Sequence, residues 1–191
     1  MKKLILFASL LTLCLAQAQA QTTTFKKGDI EFASGIGLLP TFVKDNAQAI
    51  VPPLSARIGL RVASNFSLSG YAAYSAYEAS NIALPNGSFK DIESETFIAG
   101  LRAAVHANRM ENWDIYGGAM FGYHMPTVRQ TISDEKTAGG AAAPIFSRPA
   151  ENSLIYSAFV GASYFPVKNV GVFAELGFGI SVFNMGIHWK L

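Results

Sequence analysis

The feature that most constrains this chain is a two-residue alternation of apolar with small or polar side chains, repeated in eight segments of roughly nine to eleven residues, the length of a tilted strand crossing a bilayer. Successive side chains of a strand point to opposite faces, so period two specifies strands with one apolar face, whereas a helix would repeat near 3.6. In the fourth segment Phe97, Ala99, Leu101, Ala103 and Val105 oppose Thr96, Gly100, Arg102 and His106, with Ile98 as an exception. In the fifth, Trp113, Ile115, Ala119, Phe121 and Tyr123 oppose Asp114, Tyr116, Gly118, Gly122 and His124. The second sets Leu54, Ala56, Ile58, Leu60 and Val62 against Ser55, Arg57, Gly59 and Arg61; the seventh sets Val170, Val172, Ala174, Leu176 and Phe178 against Gly171, Phe173, Glu175 and Gly177. The first (28–40), third (66–77) and sixth (154–165) carry small residues on both faces, and the last (182–191) alternates cleanly.

Between these segments the connections alternate in length. Ser64–Asn65, residues 108–112 and residues 166–169 are expected to be short turns, and 43–53, 78–94 and 126–152 long loops. An even-stranded barrel with both ends on one side has this order, with short turns in the periplasm and long loops outside.

Alternation alone also fits a soluble barrel with its apolar face inward. Three features favour the inverse arrangement. The polar face is mostly Gly, Ser and Ala with few charges, which suits a narrow lumen. Aromatics gather at strand ends, with Tyr74, Phe97, Tyr123, Tyr156, Phe178 and Phe183 at one end and Trp113, Tyr164 and Trp189 at the other, as headgroup-level girdles do. Finally, Phe183, Met185, Ile187, Trp189 and Leu191 alternate to the last residue. Hydrocarbon offers no hydrogen-bond partners, so such strands must pair all round and close, and eight of them enclose an interior that side chains nearly fill.

The N-terminus reads as an export signal: Lys2 and Lys3, an apolar run from Leu4 to Leu15, then Ala18-Gln19-Ala20. Cleavage between Ala20 and Gln21 is expected, giving a signal peptide over 1–20 and a single barrel domain over 21–191. The lone Cys14 follows Leu13, where lipoprotein processing wants a small residue, so it is expected to leave with the signal and take disulfide and thiol chemistry with it. Without Lys2 and Lys3 the basic residues match the 13 acidic ones. No basic block suited to nucleic acid, phosphate loop, metal constellation or repeat is present, and no cofactor is expected.

With signal, alternation and terminal strand together, the chain resembles the small outer-membrane β-barrel family that includes the OmpA transmembrane domain and OmpX, often labelled porin-like. The pattern from Phe183 to Leu191 resembles the C-terminal insertion signal of that family: Trp189 matches its aromatic, and Leu191 stands where Phe is usual. The resemblance implies an all-β, eight-stranded, up-and-down antiparallel barrel in the bacterial outer membrane. It implies a monomer in contact with outer-membrane lipid, inserted by the barrel-assembly machinery, used for anchoring, adhesion or surface protection. It carries over no catalytic residue.

Placed by parity, the lumen holds Asp29, Glu31, Asp114 and Glu175 against Arg57, Arg61, Arg102 and Lys190. Two readings follow: a polar plug of paired charges, which is expected, or a narrow ion path gated by Arg57, Arg61, Arg102 and Glu175. A third is a lipid-modifying hydrolase using His124 at the outer rim with Ser133, Asp134 or Glu135. His124 lacks the His-x-Ser arrangement of lipid A deacylases, since Met125, Pro126 and Thr127 follow it, so no enzyme is expected. His106 and His188 sit toward the periplasmic end, away from His124. The weakly apolar run 139–146 is expected to be a mobile external loop, with a surface ligand as the alternative.

Overall fold

The computed structural model describes residues 25–42, 47–83, 89–107, 112–133, 146–148 and 151–191. The export signal, its cleavage site at Ala20 and Gln21, most of the turn at 108–112, Asp134, Glu135 and most of the run 139–146 lie outside the described residues. The strands are β1 (Ile30–Gly37), β2 (Gln48–Ala63), β3 (Phe66–Ala83), β4 (Phe89–Ala107), β5 (Trp113–Ser133), the short β6 (Phe146–Arg148), β7 (Ser153–Val167), β8 (Val170–Gly177) and β9 (Phe183–Lys190).

Each long strand pairs antiparallel with its sequence neighbour, and β9 returns to β1 with Phe32 opposite Trp189 and Ile36 opposite Met185. Pairing of β4 with β5 completes the cylinder, so eight strands form a closed up-and-down barrel. The three-residue β6 lies outside this ring and pairs only with Val128–Gln130 of β5. The turns at Ser64–Asn65 and Lys168–Asn169 are as short as expected, and Asn112 opens β5 with φ 65°. At Pro52 and Pro53, which cannot donate to a ladder, the β2–β3 register shifts between Val51 and Leu54.

Burial alternates with the sequence pattern. Ile58, Leu60, Leu101, Val105, Phe121, Val160, Val172 and Leu176 are exposed on the outer wall, Leu101 by 69%, while Arg61, Arg102, Asp114, Ser163 and Glu175 are buried inside. Ile98, the break in the fourth segment, keeps its inward place and packs with Tyr71, Ala73, Met120 and Phe159 in an apolar layer of the lumen. A closed sheet with polar groups at its centre and hydrocarbon outside has the polarity of a membrane barrel, not of a soluble one.

All three expected long loops are strand over part of their length, and 43–53 already includes the start of β2 at Gln48. Residues 78–94 include the end of β3 and the start of β4, and 126–152 include the end of β5 and all of β6. A search for one apolar face misses them because Glu78, Asp91, Glu93, Glu95 and Arg129 lie where no hydrocarbon demands such a face. The ladder nonetheless continues, pairing Glu93 with both Glu78 and Arg129. The first strand is correspondingly shorter than expected, ending at Gly37.

The barrel is therefore lopsided. β1, β8 and β9 have 8 residues each, against 18, 19 and 21 in β3, β4 and β5. At about 3.3 Å per residue and a tilt near 40°, the low wall is about 20 Å high and β5 about 50 Å. An apolar band is about 25 Å tall, so the β3–β5 wall stands well clear of the bilayer on the outer side.

Candidate functional site: the ion-paired lumen

Glycine and serine on the inward face of the strands leave room for large side chains. A Cβ on Gly161 would lie 2.8 Å from the Tyr116 hydroxyl, and one on Gly171 would lie 2.8 Å from the Phe165 ring. Tyr116, Phe159, Phe165 and Phe173 fill that room, and the charged groups are threaded among them.

Two clusters result. In the upper one Glu175 on β8 is the hub: Oε2 accepts from Arg57 Nη1 at 3.0 Å, from Arg102 Nη2 at 2.7 Å and from the Tyr116 hydroxyl at 3.2 Å. Aromatic faces cover both guanidiniums. Arg102 lies 3.6 Å from the centre of the Phe159 ring, and Arg57 lies 4.9 Å from Tyr116 and 5.0 Å from Phe173. In the lower cluster Arg61 on β2, with 0% exposure, bridges Glu31 on β1 and Asp114 on β5. The upper cluster has two cations to one anion and the lower two anions to one cation, so their excess charges oppose each other across the lumen and cancel.

Each lower carboxylate also holds an imidazole. His106 Nδ1 lies 2.9 Å from Asp114 and its Nε2 lies 2.8 Å from Ser67 Oγ. His188 Nε2 lies 3.2 Å from Glu31 and its Nδ1 lies 2.9 Å from Ser163 Oγ. A carboxylate only accepts, so Nδ1 of His106 and Nε2 of His188 each carry a proton and donate it, while the other ring nitrogen of each is hydrogen-bonded to a serine hydroxyl. The order of groups is that of a hydrolytic triad. Ser67 and His106, however, line a cavity of about 10 Å³, enough for one water and not for an acyl group. A second cavity of about 10 Å³ lies between Arg57, Arg102, Tyr71 and Asn184.

Of the eight charges assigned by parity, six line this interior in ion pairs with one another, and the other two, Asp29 and Lys190, meet each other at the periplasmic rim at 2.8 Å. His106 and Tyr116 are on the polar face of the sequence pattern too, whereas Ser67 and Ser163 fall in segments with small residues on both faces. Their partnership depends on register across the barrel, which parity does not supply. Phe25, ahead of β1, carried no signal at all.

The other candidates are placed apart. Phe183, Met185, Ile187 and Trp189 line the outer face of β9, and Leu191 follows its end, exposed. His124 stacks on Phe42 at 4.4 Å, and its Nε2 has no hydrogen-bond partner among the described residues. Ser133 is nine positions along the same strand, about 30 Å away. No group of three or more metal-ligating side chains occurs among the described residues.

No protein-family model and no curated protein sequence matches the chain. Solved structures do. It is similar to the outer-membrane protein OprG of Pseudomonas aeruginosa, with a TM-score of 0.55 and 11% identity over 90% of this chain and 99% of that one. It also matches the N-terminal β-barrel domain of OprF from the same organism (TM-score 0.44, 12% identity, 87% and 100% coverage) and neisserial surface protein A (0.39, 15%, 85% and 96%). At such identity the OprG likeness establishes the fold and says nothing of ligand or activity, and the other two add nothing to that. By fold and by surface polarity the chain is a small membrane-spanning β-barrel, with the fold seen in OprG.

Proposed function

We propose that the protein is a non-enzymatic surface scaffold: a monomeric barrel, sealed by its ion-paired lumen, that carries a tall β-wall and the external loops above the outer leaflet. The observation that carries this reading is the interlocked pairing of Arg57, Arg61 and Arg102 with Glu31, Asp114 and Glu175, beside which lie two water-sized cavities. Buried charges so paired cost little net, and this supports a plugged rather than a conducting lumen. Anchoring, adhesion or protection would then be functions of what the wall and loops present.

Planar bilayers test it. The purified protein is expected to insert without steady unitary conductance, and a conductance that changes in Arg102→Ala would replace the scaffold by a narrow pore. For lipid modification, the mass spectrum of lipid A from cells with the wild type and with His124→Ala is expected to be the same.

A further inference from the structure

Phe25 is fully buried although it precedes the first strand. Its ring fills the periplasmic mouth of the lumen. It meets Phe165 of β7 edge-on at 5.1 Å and stacks on His188 of β9 at 5.7 Å. The Arg61 guanidinium of β2 lies 4.1 Å from the ring centre and the Lys190 ammonium of β9 lies 5.2 Å away. An aromatic face is electron-rich, so two cations hold it where an aliphatic side chain would gain only contact area.

The chain behind the ring is built to hold it there. The Lys26 N–H donates to the Asp29 carboxylate at 2.7 Å, and Gly28 turns the backbone with φ 92°, a conformation that disfavours any side chain. Gly28 N–H donates to the Arg61 carbonyl at 2.8 Å, and Arg61 N–H donates to the Asp29 carbonyl at 2.9 Å. The Asp29 carboxylate then pairs with Lys190 on β9. The strap thereby touches the strands on both sides of β1, including β9 across the seam where the barrel closes.

We propose that Phe25 is a stopper: the segment ahead of β1 seats its ring in the periplasmic mouth, screens Arg61 and His188 from water and clasps β1 to β9. Leaving the seat uncovers the lower cluster from the periplasmic side. The proposal rests on the closed-lumen reading only in that both concern the same interior.

Histidine labelling with diethyl pyrocarbonate, read residue by residue by mass spectrometry, tests it on the full-length folded protein in detergent. The chain has three histidines, so each site is resolved. In the wild type His188 is expected to be protected. In Phe25→Ala it should label at least tenfold faster, while His106, held deeper against Asp114, stays protected; Phe25→Tyr, which keeps the ring, should stay slow. Gly28→Val strains the turn without touching the lumen and is expected to give the same His188 signature, which decides the matter should Phe25→Ala label His106 as well and so prove unfolded. His188 reacting in the wild type at the rate of a free histidine, or staying protected in both Phe25→Ala and Gly28→Val, overturns the stopper. Silent bilayers together with a reactive wild-type His188 would remove the stopper and leave the closed lumen standing, sealed by its ion pairs alone.

Discussion

At the scale of single residues the lumen is governed by one rule: a charge away from water must be met by an opposite charge and by hydrogen bonds. Glu175 meets two guanidiniums and a phenol at once, so its loss strands more than it removes. Glu175→Gln leaves Arg57 and Arg102 without a counter-charge, and breaking a buried pair from one side costs about 3–5 kcal/mol. The expected result is a urea unfolding midpoint in lipid vesicles lowered accordingly, with double substitution of Arg57 and Arg102 by Met recovering part of the loss. Asp29, at the rim outside the membrane-spanning strands, behaves differently. Burial raises its carboxyl, but the Lys190 ammonium and the Lys26 N–H outweigh that and hold it below the usual 3.8. The folded protein therefore binds this proton less tightly than the unfolded chain does. The stability Asp29 contributes is complete above its unfolded value and is lost as pH falls through the lower folded one. Asp29→Asn should unfold earlier than the wild type at neutral pH, and the gap between the two urea midpoints should close on acidification; a gap independent of pH would contradict the pairing.

At the scale of elements, the strands divide at the membrane surface into parts specified in two ways. Within the bilayer each strand is specified by its apolar face, and there the pattern from Phe97 to Val105 predicts both the strand and the direction of each side chain. Above it, β3, β4 and β5 are held by the backbone ladder, with β-branched Ile92, Thr96, Thr127, Val128 and Thr131 favouring extension. The cross-strand pairs of Arg129 with Glu93 at 3.9 Å and Glu95 at 3.6 Å are exposed and add little. A paired ladder and an open loop differ sharply in amide exchange. Residues 89–96 and 126–131 are expected to retain deuterium protection comparable to that of residues 98–105, as hydrogen–deuterium exchange mass spectrometry would report; exchange within seconds would return these segments to loops.

At the scale of the whole molecule, inverted polarity and uneven height act together. The apolar exterior ties the barrel to lipid, and the low wall of β1, β8 and β9 has about the height of the hydrocarbon. The tall wall of β3 to β5 stands on the outer side and is the part that meets the surroundings. Closure removes every strand edge inside the bilayer, and the two lumen clusters carry opposite excess charges. Rigidity below and display above is the division of labour on which the scaffold reading depends.

Strand number, the lipid-facing set and the lumen-facing set were legible in the sequence because side-chain direction in a strand is a local property: parity alone sends Leu101 outward and Arg102 inward. The same parity placed His106, Tyr116 and His188 inside without saying what they touch. Only the closed barrel decides that, since Arg61 meets Asp114 and Arg57 meets Glu175 through the register of strands distant in the chain. The wall above the membrane and the seat of Phe25 likewise belong to the tertiary structure, because one is built from backbone pairing with no apolar face and the other is a single aromatic held by cations that β2 and β9 bring together.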